Sequence, residues 1–184
     1  MNRKKLIILA IVVICFVSVY FNSSFFNSSS GIEVQEGNKE ARQQEIFEMY
    51  KIYRERSFPD VMDIEVSEIL SGINSEKILF LDIREGKEQE VSMIPGAVTQ
   101  KDFEKNKSFY KDYTIFAYCT IGDRSGRYAL RLQREGFEAY NVIGGILSWV
   151  DSGEKVYDQQ GETNRVHVYG KKWNLLPDGY EGIW

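Results

Sequence analysis

The stretch from Thr114 to Phe137 constrains the fold more than any other. Thr114-Ile115-Phe116-Ala117-Tyr118 reads as a short buried strand, and from Ser125 onward the apolar spacing becomes that of an amphipathic helix closed by Gly136. A continuous apolar run suits a strand covered on both faces, and a glycine after the last periodic residue suits a helix C-terminus. Only six residues, Cys119 to Arg124, separate the two periods.

The same alternation recurs along the chain. Residues 41–57 carry Ile46, Met49, Tyr50 and Tyr53 on one helical stripe, and Phe58-Pro59 ends that helix. Ile64 and Val66 alternate with Asp63 and Glu65 as a short strand, and Ser67 then caps a small helix through Leu70. Lys77–Ile83 reads as a buried strand, the segment from Arg84 to Met93 as a polar loop with room for a helical turn, and Ile94-Pro95-Gly96-Ala97-Val98 as a tight turn into another strand. Asp102–Lys107 suggests a short helix, and Glu138–Val150 a last strand, a glycine turn and a helix. Strands alternating with helices at this spacing predict an α/β domain with a largely parallel sheet. The tail, residues 153–184, holds Tyr157, Tyr169, Trp173, Tyr180 and Trp184, too aromatic for disorder, and is expected to wrap the domain.

The N-terminus is of another kind. Arg3, Lys4 and Lys5 precede an apolar run from Leu6 to Phe21. Carried on to Phe26, the segment would reach about 31 Å as a helix, enough to cross a hydrocarbon core of roughly 30 Å. The expected layout is a membrane anchor or signal sequence at 1–26, a linker and juxtamembrane amphipathic helix at 27–59, a domain at 60–152 and a packed extension at 153–184. The basic flank keeps the N-terminus cytoplasmic in a single-pass reading and sends the domain to the extracytoplasmic side. Cleavage near Ser28–Ser30 would instead release it as a secreted protein.

Charge and cysteine usage remove several function classes. The net charge of −4, less the +3 of residues 1–30, leaves −7 on residues 31–184. An acidic body is a poor surface for nucleic acid. One histidine and two cysteines, Cys15 and Cys119, with Cys15 in the apolar run, make neither a structural zinc site nor an expected disulfide. No metal and no cofactor is expected.

The turn at Cys119 is where chemistry would sit. Ligands of parallel sheets bind beyond the carboxyl ends of the strands. A helix N-terminus there offers unpaired N–H groups and a partial positive charge, which bind anions and stabilise a thiolate. Gly122 lets the backbone aim several N–H groups inward, and Arg124 adds forked donors for an oxyanion. A sulfur nucleophile meeting a small anionic substrate fits this turn; a buried structural cysteine is the plainer alternative.

Three stretches, "ILFLDIREGKEQEVSMIPGAV", "YCTIGDRSGRYALRLQREGF" and "YNVIGGILSWV", together resemble the rhodanese-like domain over about residues 60–152. The resemblance lies in Asp82, Arg84 and Glu85 at a strand end, the Ile94–Ala97 turn, the Cys-x-x-Gly-x-Arg-Ser loop, and Gly144, Gly145 and Trp149. It implies a five-stranded parallel sheet flanked by helices, and a thiol that carries sulfane sulfur as a persulfide. Cys119 would be the nucleophile. Residues Thr120, Ile121, Gly122, Asp123 and Arg124 would bind the substrate, with Asp82, Arg84 and Ser125 in support. The partners implied are a small anionic sulfur donor and a thiol acceptor, with the membrane met through residues 6–26 and the oligomeric state open. A loop of six residues resembles the sulfurtransferases; the related phosphatases have seven.

Two positions depart from the family pattern. Ser92-Met93 stands where Gly-His is common, and Asp123 puts a negative charge in the anion loop, harmful to a dianion only if it points inward. His167 is expected to be structural or at the surface, and Arg127 solvated. A second reading remains, a non-catalytic module that binds a partner or senses redox state through the tail aromatics and the juxtamembrane helix. Arsenate or phosphate chemistry is the third.

Overall fold

In a computed structural model of the protein, residues 36–73 and 75–184 are described; the expected anchor at 1–26 and most of the linker lie outside them. Among the described residues, no helix is long and apolar enough to cross a membrane. Residues 36–41 are helical and exposed. The compact unit runs from Arg42 to Trp184.

Five strands form one parallel sheet: β1 (Asp63–Ile64), β2 (Ile78–Asp82), β3 (Val98–Thr99), β4 (Thr114–Tyr118) and β5 (Ala139–Val142), in the order β1-β5-β4-β2-β3. The expected α/β class with five parallel strands is what the chain adopts. All five residues of β4 are buried, because it is the central strand and has layers on both faces. Asp82 of β2 lies in register with Tyr118 of β4, so the loops after these strands leave the same edge of the sheet.

The helices are α1 (residues 36–57), α2 (Val66–Leu70), α3 (Gly86–Val91), α4 (Gln100–Lys105), α5 (Asp123–Arg134) and α6 (Gly145–Asp151). The α1 stripe behaves as its spacing predicts: Ile46 and Tyr50 are buried, and Met49 and Tyr53 pack against the core. One local expectation is corrected: Glu65, not Ser67, caps α2, in a reciprocal capping box with Glu68. The helical turn for which the polar segment after Arg84 left room is α3, opened by the same device between Glu85 and Glu88.

The tail folds back as two small sheets, β6 (Val156–Asp158) against β7 (Gly161–Thr163) and β8 (Arg165–His167) beside β9 (Glu181–Ile183). A backbone bridge between Met93 and Tyr157 ties it to the chain after α3, and β8 packs beside α3. Val156, Val166, Val168 and Trp173 are buried in the common core.

Candidate active site

Cys119 follows the central strand directly, and α5 starts four residues later at Asp123. The turn closes on the sulfur: the Gly122 N–H donates to Cys119 Sγ at 3.2 Å. Gly122 has φ 102°, and a Cβ there would lie 2.7 Å from the Tyr50 ring. Only glycine permits both the left-handed turn and this seating of α1 against the loop.

The other side of the loop rests on α6. The N–H groups of Ile146 and Leu147 donate to the carbonyls of Cys119 and Thr120 at 2.9 and 3.3 Å. The Gly144–Gly145 turn therefore brings backbone against the loop.

The residue missing from the sequence reading is Glu88. It is wholly buried on α3 and grips Arg124 with both oxygens, at 2.6 Å from Nη1 and 2.7 Å from Nη2. Thr120 Oγ1 donates to the same carboxylate at 3.2 Å, and the Glu85 N–H at 2.9 Å. His167, which the sequence placed in a remote tail, sits with Nδ1 3.9 Å from Glu88 Oε1. Burial alone would raise the Glu88 pKa, but the hydrogen bonds from Arg124 and Glu85 and the charges of Arg124 and Arg84 hold it below the ordinary value. Burial also opposes the Arg124 charge; the Glu88 carboxylate and the Cys119 sulfur outweigh it and raise the Arg124 pKa. The sequence clue to Glu88 was its place three residues after the capping Glu85.

The sign of the pH effect follows. Because the folded pKa of Glu88 is depressed, the stability from this ion pair is fully present above the ordinary carboxylate pKa and is lost as pH falls through the folded value. Urea midpoints measured between pH 7 and pH 3 should therefore fall less for Glu88→Gln than for the native chain, from a lower start at pH 7. Parallel curves for the two proteins would show that the pair carries no pH-linked stability.

The remaining predicted residues divide into support and rim. Asp82 and Arg84 form a fully buried ion pair, with Arg84 Nη2 2.7 Å from Asp82 Oδ2 and donating to the Ser92 carbonyl at 2.6 Å. Tyr118 Oη donates to Asp82 at 2.7 Å and accepts the Ile94 N–H at 3.2 Å, fastening β2, β4 and the Ile94–Ala97 turn together. Ser125 Oγ donates to Asn141 Oδ1 at 2.7 Å, and Asn141 Nδ2 donates to Tyr50 Oη at 3.2 Å and Asp63 at 3.1 Å, a chain that reaches α1. Asn141 was not anticipated. Asp123 turns to Arg127, 2.9 Å away, and Arg127 in turn donates to Ser57 Oγ at 2.9 Å. Arg127 does not join Arg124.

Cys119 is 2% exposed, and a cavity of about 330 Å³ leads to it. Thr120, Ile121, Asp123, Arg124 and Glu85 line it together with Tyr53 of α1 and Tyr169, Lys172 and Trp173 of the tail. A larger cavity of about 650 Å³ near Arg84, Thr99 and Lys101 does not reach the thiol.

Comparison with known proteins matches a family model described as "Rhodanese-like domain" to residues 65–152. A curated relative, the "Putative sulfurtransferase YtwF" of Bacillus subtilis, is 32% identical over 94 residues, covering 49% of this chain and 91% of the relative. A "Probable molybdopterin-synthase adenylyltransferase" of Porphyra purpurea is 32% identical over 110 residues, 55% of this chain but only 28% of that protein. Among solved structures, a "Rhodanese-like Domain Protein" from Staphylococcus aureus is 26% identical, covers 54% of this chain and 99% of its own, and superposes with a TM-score of 0.45.

Proposed function

Since this chain belongs to the rhodanese-like domain family, we propose that it is a sulfurtransferase working through a persulfide on Cys119. The Cys119 thiolate attacks the outer, sulfane sulfur of a donor. The bond from that sulfur to the rest of the donor breaks, and its electron pair leaves with the donor remnant, sulfite in the case of thiosulfate. The loop then holds a Cys119 persulfide. An acceptor thiolate attacks the outer sulfur, and the Cys119 thiolate is restored.

The observation that carries this reading is the Gly122 N–H aimed at Cys119 Sγ at the start of α5, with a cavity opening on the sulfur. The Gly122 N–H and the start of α5 present donors to a sulfur atom carried there. The Glu88–Arg124 pair holds the loop and puts the guanidinium charge beside the sulfur. The test is transfer of radiolabelled outer sulfur from thiosulfate or an organic donor to a thiol acceptor. Label that becomes protein-bound and is released by the thiol supports the reading; label that never leaves the donor sinks it. A non-catalytic module is the second reading, favoured by the burial of Cys119, and it requires the second of those outcomes.

Asp123 bears on this proposal. Its charge is matched by Arg127 at 2.9 Å, so Asp123→Asn is expected to change the KM for thiosulfate by less than about twofold. A tenfold fall would mean that its charge does act in the cradle.

We further propose that residues 6–26 anchor the chain, with the domain extracytoplasmic, on the strength of the basic flank and apolar run. Full-length protein should pellet with membranes and resist carbonate extraction while residues 42–184 are digested by external protease. Protein found in the soluble fraction would contradict the anchor, and protection from protease would contradict the topology.

A further inference from the structure

Part of the lining of the Cys119 cavity comes from stretches of the chain that the family match does not cover. The match spans 65–152, whereas Tyr53 precedes it and Tyr169, Lys172 and Trp173 follow it. Their arrangement is aromatic. The Tyr53 and Trp173 rings stack at 5.6 Å and 23°, Tyr169 meets Trp173 edge-on at 6.2 Å, and the Arg124 guanidinium lies 5.6 Å from the Tyr169 ring centroid.

Tyr169 carries the argument furthest. The residue is 59% exposed, yet it is the one non-glycine residue with positive φ, at 62°, among the described residues. Non-glycine residues adopt this backbone region at a cost, and the surroundings must hold them there. Here the Tyr169 N–H donates to His167 Nδ1 at 3.2 Å, and His167 is buried against Glu88. The same carboxylate that grips Arg124 thus lies beside the residue that holds Tyr169 over the cavity.

The charges do not favour an inorganic dianion. Of the charged lining residues, Arg124 is paired with Glu88, Asp123 with Arg127 and Glu85 with Lys87, which leaves Lys172 as the one lining cation outside an ion pair among the described residues. A substrate with two negative charges would meet little uncompensated positive charge, and it would face the Cys119 thiolate. A cavity of about 330 Å³ with aromatic walls instead suits a small organic molecule.

We infer, on the basis of the sulfur-transfer reading, that Tyr53, Tyr169 and Trp173 select an organic sulfane-sulfur compound of low charge carrying an aromatic or apolar group, in preference to thiosulfate. With a thiosulfonate as donor, the Cys119 thiolate attacks the terminal sulfur and the S–S bond breaks. The sulfinate leaves with the electron pair, the persulfide forms, and no other oxidant or reductant is needed.

The experiment measures the second-order rate of sulfur loading on the full chain with thiosulfate, methanethiosulfonate and benzenethiosulfonate. The last two share a reacting group and differ in the organic part. The expected order is benzenethiosulfonate first, by about tenfold over methanethiosulfonate, and thiosulfate last. Tyr169→Ala should shrink the benzene-to-methane ratio by about threefold or more, Tyr169→Phe should retain it, and Tyr53→Ala, on the other side of Trp173 in the aromatic cluster, should shrink it too. Comparing the ratio between variants cancels the donors' intrinsic reactivities. An unchanged ratio in both alanine variants, or thiosulfate loading as fast as benzenethiosulfonate, overturns the inference and leaves the sulfur-transfer reading standing. Loading of Cys119 by none of the three donors overturns both.

Discussion

Cys119→Ser is expected to reduce sulfur transfer to background while leaving the fold intact. The change exchanges one atom for a smaller one at a buried position where the Gly122 N–H already donates to the side chain at 3.2 Å. A serine oxygen can accept that bond, so the urea midpoint should move by no more than a change of about 1 kcal/mol implies. The chemistry has no such tolerance. A serine hydroxyl stays protonated at neutral pH and cannot hold a transferable sulfane sulfur, whereas a thiolate is both nucleophile and carrier. The other cysteine, Cys15, stands in the apolar N-terminal run far along the sequence from the loop. Transfer by the variant at even a tenth of the native rate, measured with labelled donor, would place the nucleophile elsewhere.

The second large effect is expected at Gly145→Ala. Gly145 has φ 53°, and a Cβ on it would lie 2.3 Å from the Cys119 carbonyl oxygen and 2.9 Å from that of Thr120. Both obstacles are backbone, so no side-chain rotation relieves them. They are also the two carbonyls that accept the N–H groups of Ile146 and Leu147. The methyl group would wedge the Cys119 loop off the start of α6. Left-handed strain and overpacking each cost about 1–3 kcal/mol, so a loss of roughly 2–6 kcal/mol in unfolding free energy is expected. A loop shifted by about 1 Å can lose a further hundredfold in rate. Chemical denaturation and transfer assays on the same preparation separate these effects. A variant as stable and as active as the native chain would show that the loop does not rest on α6.

The parts of the fold legible in the sequence were those governed by local periodicity. The change of period at Cys119 marked β4, the turn and α5, and the stripe from Ile46 to Tyr53 marked the buried face of α1. Asp82 and Arg84, which the resemblance placed in support at a strand end, are two residues apart and pair directly. Glu88 was not legible, because a buried carboxylate in a run of charges looks like solvated surface until Arg124, 36 residues on, is placed beside it. That pairing also alters the part expected of Arg124, from a free anion reader to a charge shared between Glu88 and the sulfur. Asn141 was hidden for a similar reason: its partners Ser125, Tyr50 and Asp63 are spread over three other elements. The tail was read as wrapping the domain, but its three-residue strands leave no periodicity to read. β8 meets β9 across the segment that carries Tyr169 and Trp173, so the aromatic part of the cavity lining exists only once those distant pieces close.

The central claim, that Cys119 carries sulfur in the cradle at the start of α5, is tested most directly by mass spectrometry of the purified chain after brief treatment with a sulfane-sulfur donor. The result expected is one added sulfur atom on the peptide containing Cys119, removed on addition of an acceptor thiol and absent from Cys119→Ser. A chain whose mass is unchanged under every donor tried, or added sulfur found on a peptide lacking Cys119, would contradict it.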